Sequence, residues 1–335
     1  MRTLSRRTIL ASAMPALSPF PLSPFIVGTA HAAEEPGEFP TRPVTFVVPY
    51  ASGGGTDTLA HLLAGILQEH FGKPFNVLNR PGEGTVIATN FVAKSPPDGY
   101  TIMMAVSTLA IDATLYRKLP YDAAKDLALL ALIASVPFVL VVSASLPVYS
   151  VDDLINLSKQ RPLSYGSGGI GAFHHLAGAL FAKMTGIKMT HVPYHGTVPA
   201  LHDLVGGYIQ LMFTDYGPAQ GLINGGKLRP LAVTTTKRLA VLPDVPPLAD
   251  VGVPGFDIAA WQGVVAPTKT PDVVVAKLNT QLNAAVNLPD VRVRMSDLGM
   301  IPIGKGSPDE LASFLKAEFV RWGKIVESAG LAKSQ

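Results

Sequence analysis

Twice in this chain an apolar run ends in a cluster of glycines that opens directly into a helical stripe. In VVPYASGGGTD, residues 47–57, the run stops at Pro49-Tyr50, and Leu59, Leu62, Leu63, Ile66, Leu67 and Phe71 then recur at helical spacing. In LSYGSGGIG, residues 163–171, a second glycine loop precedes Phe173, Leu176, Ala177, Leu180, Phe181 and Met184. A strand that passes at once into a helix restricts the fold. Such units stack into α/β sheets rich in parallel pairs. The two units begin roughly 115 residues apart, which predicts two α/β lobes with one glycine loop each.

The rest of the chain continues the alternation. TFVVPY (45–50), FNVLN, TIMMAV, FVLVVSA (138–144), YIQLMFTD, KLRPLAVTT (227–235) and WQGVVAP (261–267) read as strands. SVDDLINLSKQ is a short helix, and another follows THVPYHG with Pro199 near its start. Two helices are expected at the end of the chain. One opens at Thr270-Pro271, the other at SPDE, where Ser307 and Glu310 form a capping box.

The chemistry of the glycine loops is the main functional signal. Glycine allows positive φ and close approach to the backbone. The first turn of the following helix carries unpaired N–H groups and a partial positive charge. A carboxylate can be held there without a cationic side chain, and neither loop contains Lys or Arg. Glycines also serve simply to turn a strand into a helix, so one loop alone would carry little weight. Familiar catalytic motifs are not met. Neither loop is GxxxxGK[ST], and no G-x-S-x-G surrounds Ser52 or Ser167. GSGGIG (166–171) matches GxGxxG literally, but His191 stands where a dinucleotide site needs an acid. His191 and His195 are separated by Pro193, and His174 and His175 leave their helix in different directions, so no metal site is expected. No cofactor is expected either.

Charge excludes a further class. Of 27 Lys and Arg, Arg2, Arg6 and Arg7 lie in the first 32 residues, which hold no Asp or Glu; residues 33–335 then carry 24 basic against 24 acidic side chains. No basic block remains, and nucleic acid is not an expected partner. Residues 1–32 read as a signal peptide. SRRTIL precedes a weakly apolar stretch, and Ala30-His31-Ala32 has the small-x-small pattern of a cleavage site. Arg6-Arg7 resembles a twin-arginine signal, though ordinary secretory leaders also carry two arginines. Pro15, Pro19, Pro21 and Pro24 argue against a spanning helix. There is no cysteine, hence no disulfide and no lipidated N-terminal cysteine. The expectation is an exported, soluble, monomeric periplasmic protein without a lipid anchor.

Several long blocks occur in order: RPVTFVVPYASGGGTDTLAHLLA, VLNRPGEGTVIATNFVAKSPPDGYTIMM, LSYGSGGIGAFHHLAGALFAKMTG, THVPYHGTVPALHDLVGGYIQLMF, GKLRPLAVTTTKR and WQGVVAPTKTP. Together, over roughly residues 42–333, they resemble the periplasmic solute-binding proteins of tripartite tricarboxylate transporters, the TctC-like or Bug proteins. The resemblance implies an α/β, two-lobed periplasmic binding protein, a type II-like Venus flytrap with two interlobe crossings. These are placed near FVLVV and just before WQGVV. Lobe 1 is then 33–138 and 261–335, and lobe 2 is 139–260. It implies a small carboxylate ligand (a di- or tricarboxylate, acidic amino acid or aromatic acid), no enzymatic activity, and membrane subunits of the transporter as partners. By the same match Tyr50, Ala51, Ser52, Gly53, Gly54, Gly55, Thr56 and Asp57 line the first lobe. Tyr165, Ser167, Gly168, Gly169 and Ile170 line the second, with His174 and Tyr194 nearby and Asp215 facing the cleft.

This chain departs from the family pattern in places. Ser52 stands where the family commonly has Pro, His195 where it commonly has Lys, and GEGTVIA (82–88) replaces a GAGG-type turn. Asp57 has a second reading, as an acid in a first helical turn that interacts with the macrodipole without touching ligand. Trp261 suits a hinge or cleft wall, and equally a core position. Two other functions fit the residues. A hydrolase would rest on Ser167 with His174. A co-receptor for a sensor kinase would use the same binding fold.

Overall fold

The computed structural model describes residues 38–335, so the leader expected over residues 1–32 lies outside the described residues. The described chain opens with β1 (Val44–Val48), α1 (Gly55–Phe71), β2 (Phe75–Asn79), α2 (Val86–Ala93), β3 (Thr101–Val106) and α3 (Thr108–Leu115). A short α4 (Ala123–Asp126) leads into β4 (Leu127–Ser143), followed by α5 (Val151–Gln160). The second run is β5 (Leu163–Ser167), α6 (Phe173–Thr185), β6 (Met189–Pro193), α7 (Thr197–Val205), β7 (Leu211–Asp215), α8 (Tyr216–Asn224) and β8 (Leu228–Val233). Then come β9 (Ala259–Pro267), α9 (Asp272–Val286), α10 (Pro289–Asp297), β10 (Ile301–Lys305) and α11 (Pro308–Ser328).

The strands form one sheet in the order β2-β1-β3-β9-β4-β7-β5-β6, with β8 and β10 both paired to β4. Parallel pairing is confined to two triplets. In one β1 lies between β2 and β3, and in the other β5 lies between β6 and β7. Everything that touches β4 or β9 is antiparallel. The alternation in sequence thus describes the two triplets and not the sheet's centre. The reason is β4 itself. FVLVVSA is only its second half, and its first half, LALLALIASV, is buried on both faces and shows no alternation to read. Two other elements also lie beyond what periodicity gives. β10 is short and interrupted by Pro302 and Gly304, and α10 is a polar turn-rich segment between the two expected terminal helices. The capping box on α11 is present as read, with Ser307 accepting from the Glu310 amide and Glu310 bonded back to the Ser307 amide.

β4 changes partners along its length. Up to Pro137 it pairs with β9, Pro137 opposite Ala259; from Phe138 onward it pairs with β7 and β8, Phe138 opposite Asp215. Thr234, fully buried, pins this point. Its hydroxyl accepts from the Phe138 amide at 3.0 Å, its amide donates to the Phe138 carbonyl, and its carbonyl accepts from Ile258 just before β9. Both connecting strands therefore meet one threonine. One apolar core runs beneath them, from Val44 and Phe46 to Phe181 and Phe213. Thr234→Val keeps the shape but leaves the Phe138 N–H without its acceptor. We expect a loss of about 1–3 kcal/mol in unfolding free energy, read from urea midpoints.

Candidate functional site

All six strands of the two triplets deliver their C-terminal ends to helix starts: α1, α2 and α3 after β1, β2 and β3, and α6, α7 and α8 after β5, β6 and β7. In open α/β sheets such ends are where ligands bind. Side-chain caps are missing from these helices, as they are from α9 and α10. α4, α5 and α11 are capped by Asp122, Ser150 and Ser307. α1, α3, α6, α7 and α8 have no side-chain cap, and Gly54, Ala172 and Gly196 hold the cap positions of α1, α6 and α7. Their first amides stay available to an anion.

Tyr50, Ala51, Ser52, Gly53 and Gly54 are exposed, and Gly55 is half-buried. Gly53 adopts φ +91, which glycine allows without strain. Asp57 fixes the loop from below. It is 5% exposed, and its carboxylate accepts from the Gly53 amide at 2.8 Å and from Asn79 Nδ2 at 2.8 Å. Burial pushes its pKa up, but these two bonds and nearby His61 outweigh that and hold it below the usual carboxylate range. Thr56 is buried too, its hydroxyl accepting from Gln262.

The second loop is braced by a buried cluster. Ser167 is fully buried; its hydroxyl lies 2.6 Å from His191 Nε2, donates to the Gly169 carbonyl and accepts from the Gly169 amide. His191 stacks on His175 with ring centroids 3.7 Å apart, and His175 Nδ1 accepts from the Gly171 amide. Tyr165 closes the cluster from beneath, its ring packed on Gly178 and its phenol on the His175 carbonyl. Tyr194 lies at the loop's edge. Its amide donates to the Ser167 carbonyl and its phenol bonds Asp203 at 2.7 Å, which with burial pushes its pKa up to about 12. Gly168 and Gly169 are half-buried and Ile170 is exposed. The partner of Ser167 is thus His191 and not His174, and the hydroxyl points inward. The serine–histidine pair on which a hydrolase would rest is not formed.

The two loops approach each other through Tyr50, Asp215 and His174. Tyr50 leaves about a third of its surface open (36% exposed), while burial of its phenol, with Asp112 on α3 and Asp215 at the end of β7 nearby, pushes its pKa up. Asp215 in turn lies 3.5 Å from His174 Nε2, which is also 3.2 Å from Thr197 Oγ1. The His174 ring meets Phe138 edge-on at 5.0 Å, and a Cβ on Gly168 would stand 3.4 Å from it. Gly171 sits so close to α3 that an added Cβ would fall 2.2 Å from Leu115. Trp261 is core, 3% exposed and edge-on to Phe314. Sequence reasoning missed Thr108 and Asp112. The available signal was a polar pair four residues apart, TLAID, in a helix otherwise apolar on that face. It also missed Thr197, at the start of α7, for which no motif speaks.

A two-lobed α/β shell of the periplasmic-binding-protein kind is the class that this sheet and these strand ends define. Residues 59–331 match the tripartite tricarboxylate transporter family receptor, TctC, and the chain belongs to that family of solute-binding proteins. BugT of Bordetella pertussis is 34% identical over 296 residues, 87% of this chain and 90% of BugT. Rpa4515 of R. palustris, solved with adipate, is 43% identical with a TM-score of 0.83, covering 88% of this chain and 99% of that one. MatC from Rhodopseudomonas palustris, solved with bound malate, is 32% identical with a TM-score of 0.79, covering 86% of this chain and 100% of that one.

The histidine cluster has a pH signature. Burial lowers His175 to about 4, and burial with the neighbouring His175 lowers His191 to about 4. Unfolded, each histidine takes up a proton below about 6.5. The folded state then loses ground as pH falls from 6.5 through 4, and has its full stability above that window. The unfolding free energy from urea titration at about pH 5 should fall by about 1–2 kcal/mol per histidine relative to pH 7.5, and by less in His191→Gln.

Proposed function

We propose that this protein is exported and closes on a small organic carboxylate, which it hands to the membrane subunits of a tripartite tricarboxylate-type transporter. What supports the reading is two glycine loops that approach each other through Tyr50, Asp215 and His174 and whose helix starts lack both side-chain caps and cationic side chains. Adipate and malate in the structures of relatives agree with an acid as ligand. On this reading the contacts come from Tyr50–Gly55 in one lobe and Gly168–Gly169 in the other, with His174 and Asp215 on the wall. The lobes divide as residues 33–138 with 261–335, and 139–260. The hinge is the place where β4 changes partners, and closure follows when a ligand touches both lobes.

The protein binds and does not turn over its ligand: Ser167, the one serine with a histidine partner in either loop, has its hydroxyl locked inside the fold. Export follows from the leader, and no helix among the described residues is long and apolar enough to cross a membrane. The test is a thermal-shift screen of di- and tricarboxylates, acidic amino acids and aromatic acids, followed by calorimetry on Gly54→Ala. An added Cβ at Gly54 meets nothing within 4 Å, so the variant should melt like the parent without ligand. Its affinity for the best acid should fall about tenfold or more. Equal affinity in parent and variant would remove the first loop from the site.

A further inference from the structure

The second glycine loop is held at two points. Ser167 grips Gly169, accepting from its amide at 3.1 Å and donating to its carbonyl at 2.9 Å. Two residues on, Gly171 has φ +77 and is wedged against α3, where an added Cβ would fall 2.2 Å from Leu115. Its amide donates to His175 Nδ1 at 3.2 Å, so the first turn of α6 reaches back over its own start. The Gly169 carbonyl also accepts from the Ala172 amide. Gly168 and Gly169, the loop residues assigned to the ligand, are therefore fixed to α6 through Ser167 on one side and His175 on the other.

These bonds assign the protons. The Gly171 amide donates to His175 Nδ1, so that nitrogen carries a lone pair and the neutral ring keeps its proton on Nε2. The single proton of the Ser167 hydroxyl goes to Gly169, so His191 Nε2, 2.6 Å away, is the donor of its pair. A second proton on His191 would enter at the other nitrogen and leave the Ser167 contact in place. A second proton on His175 can enter only at Nδ1, where it meets the Gly171 N–H. Ionising His175 thus breaks a bond of the loop, and ionising His191 breaks none. The His175 ring faces His191 from β6, stacked at 3.7 Å and 7°, Tyr165 from β5 at 6.3 Å, and the positive end of α6. Neither histidine forms an ion pair among the described residues, where the paired histidines are His61 and His174. Nothing near the ring compensates a charge, and burial lowers His175 to about 4 while the loop is in place. A ring released to water regains its ordinary proton affinity, near 6.5.

We propose that His175 is a proton-operated latch on the second glycine loop: with Nδ1 free it holds Gly171 and keeps the loop in its binding shape, and a proton on Nδ1 releases Gly171 and weakens capture of the ligand. His175 is a positioning residue and touches no ligand. The proton and the ligand are then antagonists, and by linkage each disfavours the other to the same degree. The inference rests on the carboxylate-binding reading above, but its first readout needs no ligand.

The experiment is amide hydrogen exchange at Gly171 in the protein without ligand, read by NMR as a protection factor. The slowest amides of β4, which is paired on both sides, report global unfolding. Gly171 should be less protected than these, and its protection should fall about twentyfold from pH 7.5 to pH 5. His175→Asn places Oδ1 near the position of Nδ1, accepts from the same amide and does not titrate, so its protection should stay level. His191→Gln keeps an N–H for Ser167 and should keep the fall. Calorimetry with adipate follows at both pH values. The affinity of the parent relative to His175→Asn should drop about fivefold at pH 5, a ratio in which protonation of adipate itself cancels. Gly171 protection that is level with pH or equal to that of β4, the same fall in His175→Asn, no fall in His191→Gln, or an adipate ratio unchanged with pH would overturn the inference and leave the carboxylate site standing. No binding of any acid by the parent would overturn the carboxylate reading and with it the ligand half of the inference.

Discussion

No side chain caps the starts of α1 and α6, and much of the surrounding structure follows from keeping them so. A side-chain cap would satisfy them and close the site. Here glycine and alanine occupy the cap positions, and the polar residues that could have folded back are committed elsewhere. Asp57 is used up by Gly53 and Asn79 below the first loop. Ser167 is used up by Gly169 and His191 below the second. These buried bonds hold the loops open from the inside. The result is positive potential from main-chain dipoles, without a lysine or arginine in either loop.

Bringing two such loops together is the task of the sheet's antiparallel centre. Each triplet alone would place its strand ends at the edge of a separate α/β unit. β4 and β9 carry the chain between the triplets, and because they run side by side, Thr234 can tie both at once. The C-terminal helix adds a third link. Trp322 is fully buried edge-on against Phe173 at the start of α6, with its indole N–H donating to Glu318, and Lys183 donates to the Ser328 carbonyl. The position of the second loop thus depends on residues more than a hundred positions away.

What could be read from the sequence follows from where alternation and helical spacing survive burial. The strand-to-helix units were legible because each strand has one end at a glycine loop and each helix one apolar stripe. The first half of β4 was not, since burial on both faces erases the pattern that would mark it. The glycine loops were legible as anion seats from composition alone. Which of their side chains turn inward was not. Ser167 and Tyr165 are next to the loop in sequence and are yet wholly enclosed, because β5 is flanked on both sides and alternate residues point into the packed helices. Asp112 was invisible for the opposite reason, being a lone acid in an apolar helix whose partners, Thr85 and Tyr50, arrive from other turns of the chain.

The left-handed turn at 82–85 bears on how this lineage can diversify. Most side chains are excluded at position 85 by backbone geometry before any question of ligand arises. Glycine fits without strain, and threonine persists where a hydroxyl-bonded neighbour compensates it. Drift at this spot is therefore confined to a short menu that backbone geometry, rather than the ligand, sets.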